Sequence, residues 1–224
     1  MPPHERRIMV YDSRIHHRRS IRLRGYDYAG GGAYFITICT QGKIPQFGRI
    51  VEEEMILNEP GRLMQKTWDD LPQRFHTLIL DAFRVMPNHV HGVFVLPGPG
   101  LHPALAEATG APVIEPGNIN QPWDGRGRAS PPPTRRTSMG DVVGTFKSIS
   151  TIAVNKLLSR TGTRLLHENF YEHIIRDVGE LESIREYIIY NPQRWMEDPE
   201  NPESPDYAES MDGYPPGQRP DEDL

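Results

Sequence analysis

The chain has 224 residues, 37% hydrophobic and 25% charged, with a formal net charge of −5 and a mean hydropathy of −0.58. That suffices for one domain with tails, and no apolar run approaches the roughly 20 residues of a membrane span. The one cysteine, Cys39, excludes an internal disulfide, and the arginine-rich N-terminus has no apolar signal core, so a cytoplasmic protein is expected.

Charge divides along the chain. Residues 197–224 carry ten acids and one base, a net of −9, which leaves +4 for the rest. Residues 1–27 read as a basic arm. Arg6, Arg7, Arg14, Arg18, Arg19, Arg22 and Arg24 suit either contact with a phosphate backbone or a solvated arm.

A first strand is expected at 34–40, which is rich in β-branched and aromatic residues. A helix follows over 57–75, starting close to Asn58, with Leu57, Leu63, Met64, Trp68 and Leu71 near helical spacing. Residues 77–85 and 89–96 form an antiparallel hairpin about the turn Met86-Pro87-Asn88. Residues 98–137 hold Gly or Pro at 14 of 40 positions and are expected to be a mobile loop. Ser138-Met-Gly-Asp141 is a capping box opening a helix that runs toward Gly162. A fourth strand is expected at 169–175, a last helix at 180–195, and an acidic disordered tail over 197–224.

The first six of these elements follow the order of a ferredoxin-like split β-α-β domain in the α+β class. Its helices should cover one face of an antiparallel sheet. The last helix is extra to that plan.

His89-Val90-His91 places two imidazoles on one face of a strand, where they can share a divalent ion. Taken alone, the pair fits one buried and one hydrogen-bonded structural histidine more readily than a metal site. On the last helix Leu181, Ile184, Ile188 and Trp195 form an apolar stripe, Tyr187 and Asn191 share a neighbouring face, and Tyr190 points away. Pro192 interrupts the helix bonding there.

Met86-Pro-Asn-His-Val-His-Gly92 resembles the HUH motif of single-tyrosine transposases, and most closely that of the REP-associated tyrosine transposases. Five further segments resemble the same family in order: 20–28, 34–40, 144–148, 170–176 and 187–192. The resemblance spans about residues 18–196 and implies a ferredoxin-like fold. It implies His89, His91 and Asn191 as ligands of Mg²⁺ or Mn²⁺ and Tyr187 as the nucleophile. The implied reaction is cleavage and rejoining of single-stranded DNA at hairpin-forming ends, through a 5′-phosphotyrosine, by a monomer or homodimer. The domain proper would be 28–196. Arg22, Arg24 and Lys147 are candidate DNA contacts, and His173 either orients a phosphate or satisfies a core hydrogen bond. The alternative is a non-catalytic binder of structured single-stranded nucleic acid on the same fold. A metal phosphodiesterase that uses water is a third reading.

Overall fold

The structure is a computed structural model and describes residues 27–113 and 136–204. Most of the expected basic arm, with Arg22 and Arg24, and residues 205–224 of the acidic tail lie outside the described residues.

Among the described residues, six strands and four α-helices follow in chain order. They are β1 (Gly32–Cys39), β2 (Gly48–Val51), β3 (Glu54–Leu57), α1 (Glu59–Asp69), β4 (Ile79–Val85), β5 (His89–Leu96), α2 (Pro103–Thr109), α3 (Met139–Leu157), β6 (Tyr171–Ile175) and α4 (Val178–Tyr190). The main sheet has the order β4-β5-β1-β6, and every neighbouring pair is antiparallel. β5 is thus inserted between β1 and β4, which α1 connects. This is the split β-α-β order that the sequence predicts.

Alternation sorts the two central strands into two faces. Tyr34, Ile36, Ile38, Val90, Phe94 and Leu96 point into a core shared with Met64 and Trp68 of α1 and Val142, Val143 and Phe146 of α3. Ala33, Phe35, Val93 and Val95 point the other way, against Leu105 and Ala106 of α2 and Leu181 and Ile188 of α4. The expectation of helices on one face therefore holds for α1 and α3, while α2 and α4 cover the second face. Ile174 and Ile175 of β6 divide between the two. Gly92 is required by the first face: a Cβ there would lie 2.5 Å from Trp68 Cη2.

Local chemistry explains where the elements start and stop. Asn58 caps α1 by accepting from Gly61 N at 2.9 Å. The helix stops at Asp69 rather than continuing to 75, because Pro72 cannot donate the next helical bond and the chain tightens into a 3-10 turn at Leu71–Gln73. The Ser138–Asp141 capping box is present. Asp177 caps α4, and Asn191–Glu197 continues it as a 3-10 turn once Pro192 interrupts the α-bonding.

Three expectations need correction. The 98–137 stretch is not all loop. Its Ala104-Leu-Ala-Glu-Ala108 run forms α2, whose Leu105 and Ala106 are buried. The Gly and Pro count, averaged over 40 positions, hid five good helix formers in a row. The hairpin β2–β3 was not expected either. Its turn residues Glu52 and Glu53 both take positive φ, a conformation usually signalled by Asn or Gly. Finally, the tail does not begin at 197: Asp198, Asn201 and Ser204 are buried against the domain. Among the described residues, no helix is long and apolar enough to cross a membrane.

Candidate active site

The second face of the sheet carries the polar cluster. Thr37 of β1 pairs in register with His91 of β5 on one side and with Tyr171 of β6 on the other, and His91 pairs with Arg84 of β4. Alternation places His89 on the same face as His91, as the sequence requires. Their Nε2 atoms approach to 2.9 Å.

Each ring is oriented through its other nitrogen. His89 Nδ1 lies 2.9 Å from Asn88 Oδ1, and His91 Nδ1 lies 2.8 Å from Thr37 Oγ1. An amide oxygen can only accept, so His89 carries its proton on Nδ1 and presents a lone pair at Nε2. Such outer partners fix tautomer and orientation in metal-binding histidines. Phe35 stacks on His91 at 5.6 Å and Trp195 on His89 at 6.1 Å, which closes the apolar sides.

Asp198 is the residue that sequence reasoning missed. Its Oδ2 lies 3.8 Å from His89 Nε2. Among the described residues, His89, His91 and Asp198 bring one ligand atom each to within 4.8 Å of one another, an arrangement that can hold a metal ion. Asn191, expected as a ligand, donates from Nδ2 to Asp198 Oδ2 at 2.8 Å, while its Oδ1 is buried and accepts no hydrogen bond among the described residues. The turn carrying Asp198 is itself tied down. Asp198 Oδ1 accepts from Glu200 N at 2.7 Å, Asn88 Nδ2 donates to Glu200 O at 2.6 Å, and the Glu200 carboxylate pairs with Lys43 at 3.0 Å. One signal for this turn was available. Asn191-Pro192, Asp198-Pro199 and Asn201-Pro202 are spaced Asx-Pro turn signals, unlike the rest of the acidic tail.

Burial governs the protonation of these groups. Burial lowers the His89 pKa to about 4. Burial and then the neighbouring His89 lower that of His91 to about 3. Burial raises that of Asp198, partly opposed by His91. All three groups are thus held toward neutrality. A divalent ion would reverse this for the carboxylate and use both imidazole lone pairs. The mixed nitrogen and oxygen donors, with the buried Asn191 Oδ1 beside them, fit such an ion.

Tyr187 reaches the same point from α4. Its hydroxyl lies 3.4 Å from His91 Nε2, and its ring packs edge-on against Phe35 at 6.1 Å. Tyr190 points away and is 47% exposed, as helix geometry predicts. Tyr171, on the same sheet face, has its pKa pushed up to about 12 by burial and by Glu180.

The remaining expected residues are elsewhere. Lys147 is on α3, across the sheet, and its ammonium donates to the carbonyls of His167 at 2.7 Å and Glu168 at 2.6 Å. Burial lowers its pKa. His173 is on β6, on the site's face, but its Nε2 meets Glu180 Oε1 at 2.6 Å.

No family model matches the chain. Two solved structures resemble its fold at 16% identity. One is a REP-associated tyrosine transposase bound to a REP hairpin, at a TM-score of 0.45 over 78% of this chain and 73% of that one. The other is a candidate transposase from Deinococcus radiodurans R1, at a TM-score of 0.37 over 75% of this chain and 95% of that one. An uncharacterised protein of Haemophilus influenzae is 35% identical over 190 residues, which is 84% of this chain and 95% of that protein. By that identity over almost the whole relative, this chain and the Haemophilus influenzae protein belong to one family.

Proposed function

We propose that the protein is a metal-dependent DNA strand-transferase that cleaves and rejoins single-stranded DNA through Tyr187. The observation that carries this reading is the Tyr187 hydroxyl 3.4 Å from His91 Nε2, beside the His89–His91–Asp198 donor set. The motif order around the histidine pair and Tyr187 supports the same chemistry.

His89 Nε2, His91 Nε2 and Asp198 Oδ2 would hold the ion, with Asn191 orienting the carboxylate and offering Oδ1. Mg²⁺ or Mn²⁺, so held, would polarise a phosphate oxygen and offset charge developing on it. The protein's own residues supply the rest. Tyr187 Oη attacks phosphorus, a P–Oη bond forms, and the bond from phosphorus to the 3′ oxygen breaks. The phenol's proton passes to solvent, and the departing 3′ oxygen takes one up. The nucleophile loses its proton on or before attack. One phosphodiester replaces another, so the step is reversible without ATP. A 3′ hydroxyl attacking the phosphotyrosine rejoins a strand. The ligands are 0–3% exposed, so a phosphate reaches them only after a local opening of the site.

Hairpin-forming single-stranded ends are the substrate class implied by the motifs. A labelled hairpin oligonucleotide incubated with Mn²⁺ should yield a denaturant-resistant protein–DNA band that Tyr187→Phe abolishes. A band that persists in Tyr187→Phe overturns the nucleophile. Cleavage without a band would indicate hydrolysis by water, and binding without cleavage would indicate a binder only.

A further inference from the structure

Helix α4 lies across the second sheet face and is held at both edges by polar contacts. At the β6 edge, His173 Nε2 meets Glu180 Oε1 at 2.6 Å, and the other Glu180 oxygen accepts from Arg176 N at 2.7 Å. At the β4 edge, Arg185 binds Asp81 through two parallel bonds, Nε to Oδ1 at 2.8 Å and Nη2 to Oδ2 at 2.5 Å. Arg185 Nη2 also donates to Ala108 O of α2 at 3.2 Å. Tyr187 comes two residues after Arg185.

The β4 anchor is built by an irregularity in the strand. Register shifts between Leu80, opposite Phe94, and Phe83, opposite Gly92. β4 therefore carries one extra residue there, and such bulges re-aim side chains. Asp81 turns to Arg185, its Oδ1 also accepting from Ala82 N at 2.9 Å, while Ala82 packs into the core beneath α4. In a regular strand these consecutive residues would face opposite sides of the sheet. An apolar stripe alone lets a helix roll, whereas a planar guanidinium gripping a carboxylate through two bonds sets an angle.

We propose that the Asp81–Arg185 pair is a positioning device for Tyr187, fixing the roll of α4 so that the hydroxyl meets the histidine pair. The catalytic consequence rests on the reading of Tyr187 as nucleophile; the positional consequence does not. With helix side chains about 6 Å from the axis, a roll of roughly 10° moves their ends by about 1 Å. A misplacement of that size costs on the order of 10²-fold in rate.

The test compares wild type with Asp81→Asn, Arg185→Gln and Arg185→Lys. It reads the rate of protein–DNA adduct formation at saturating hairpin DNA, the DNA affinity, and the ¹⁹F resonance of Tyr187 in protein labelled with 3-fluorotyrosine. That resonance is assigned by its loss in Tyr187→Phe. Asp81→Asn and Arg185→Gln should slow adduct formation by about 10- to 100-fold with DNA affinity unchanged within about twofold, and should shift or broaden the Tyr187 resonance. Arg185→Lys should recover the rate only in part, because an ammonium lacks the planar fork. If Arg185→Gln does not fold, Asp81→Asn and Arg185→Lys carry the same comparison. An unchanged Tyr187 resonance and rate in folded variants overturns the proposal. So does a loss of DNA affinity confined to the Arg185 variants, which would assign Arg185 to the DNA. If wild type forms no adduct, strand transfer fails while the ¹⁹F signal still decides the clamp.

Discussion

The two faces of the sheet come from the same alternating strands but are closed by different physics. The first face, under α1 and α3, is sealed by aromatic packing: Trp68 stacks on Phe83 at 4.4 Å and meets Phe146 edge-on at 5.6 Å. The second, under α2 and α4, begins apolar at Phe35 and Val93 and ends in Thr37, His89, His91, Asp198 and Asn191, buried with specific partners. Apolar contacts stabilise without direction, whereas a buried polar group must be matched atom by atom. The first face therefore serves stability, and the second holds the polar groups of the candidate site at fixed distances.

Tyr187→Phe should break this division most sharply. It removes one hydroxyl at the second face and should lower adduct formation by at least about 10³-fold, to background, while the melting temperature and metal affinity hold. Denaturing gels and calorimetry check the two halves. Trp68→Ala is the converse: with Trp68 only 1% exposed, it should cost about 3–5 kcal/mol of stability in denaturant melts. The Mn²⁺ affinity of the protein that remains folded should not change.

Asp198→Asn sharpens the comparison within the second face. Mn²⁺ titrations followed by electron paramagnetic resonance should show an affinity loss of about 10- to 100-fold or more. Thr37→Val, which removes only the partner of His91 Nδ1, should sit at the low end of that range, about tenfold. If neither variant changes the affinity, the ion is held elsewhere.

The smallest effect is on pH dependence. In metal-free protein the folded pKa values of His89 and His91, about 4 and about 3, lie below the ordinary 6.5. Between those values the unfolded chain binds more protons, so stability falls as pH drops from about 6.5 and the loss is complete below about 3. The raised pKa of Asp198 acts the other way, since the folded state then binds its proton more readily. Chemical denaturation of apo protein across this window should show the decline, and His89→Gln should reduce it.

Much of this architecture was legible in the sequence because it depends on short-range rules. Period-two alternation put His89 and His91 on one face, and the 3.6-residue period separated Tyr187 from Tyr190. The Ser138–Asp141 box and Pro192 marked where helical bonding begins and fails. Composition and proximity to a motif did not name the partners of Lys147 and His173, although a hydrogen-bonded role for His173 was open from the sequence. Lys147 lies across the sheet on two carbonyls, and His173 is paired with Glu180. Helix α2 was hidden by the Gly and Pro around it.

By itself, then, the sequence determined the extent of most strands and helices, the histidine pair, and the tyrosine and asparagine on one side of the last helix. Each of these follows from spacing within a dozen residues. Only the tertiary structure decided which face the last helix covers and that Asp81 locks it through Arg185. It also decided that Asp198 returns to His89, because those contacts join positions about a hundred residues apart, where periodicity carries no information and packing and charge pairing choose the partner.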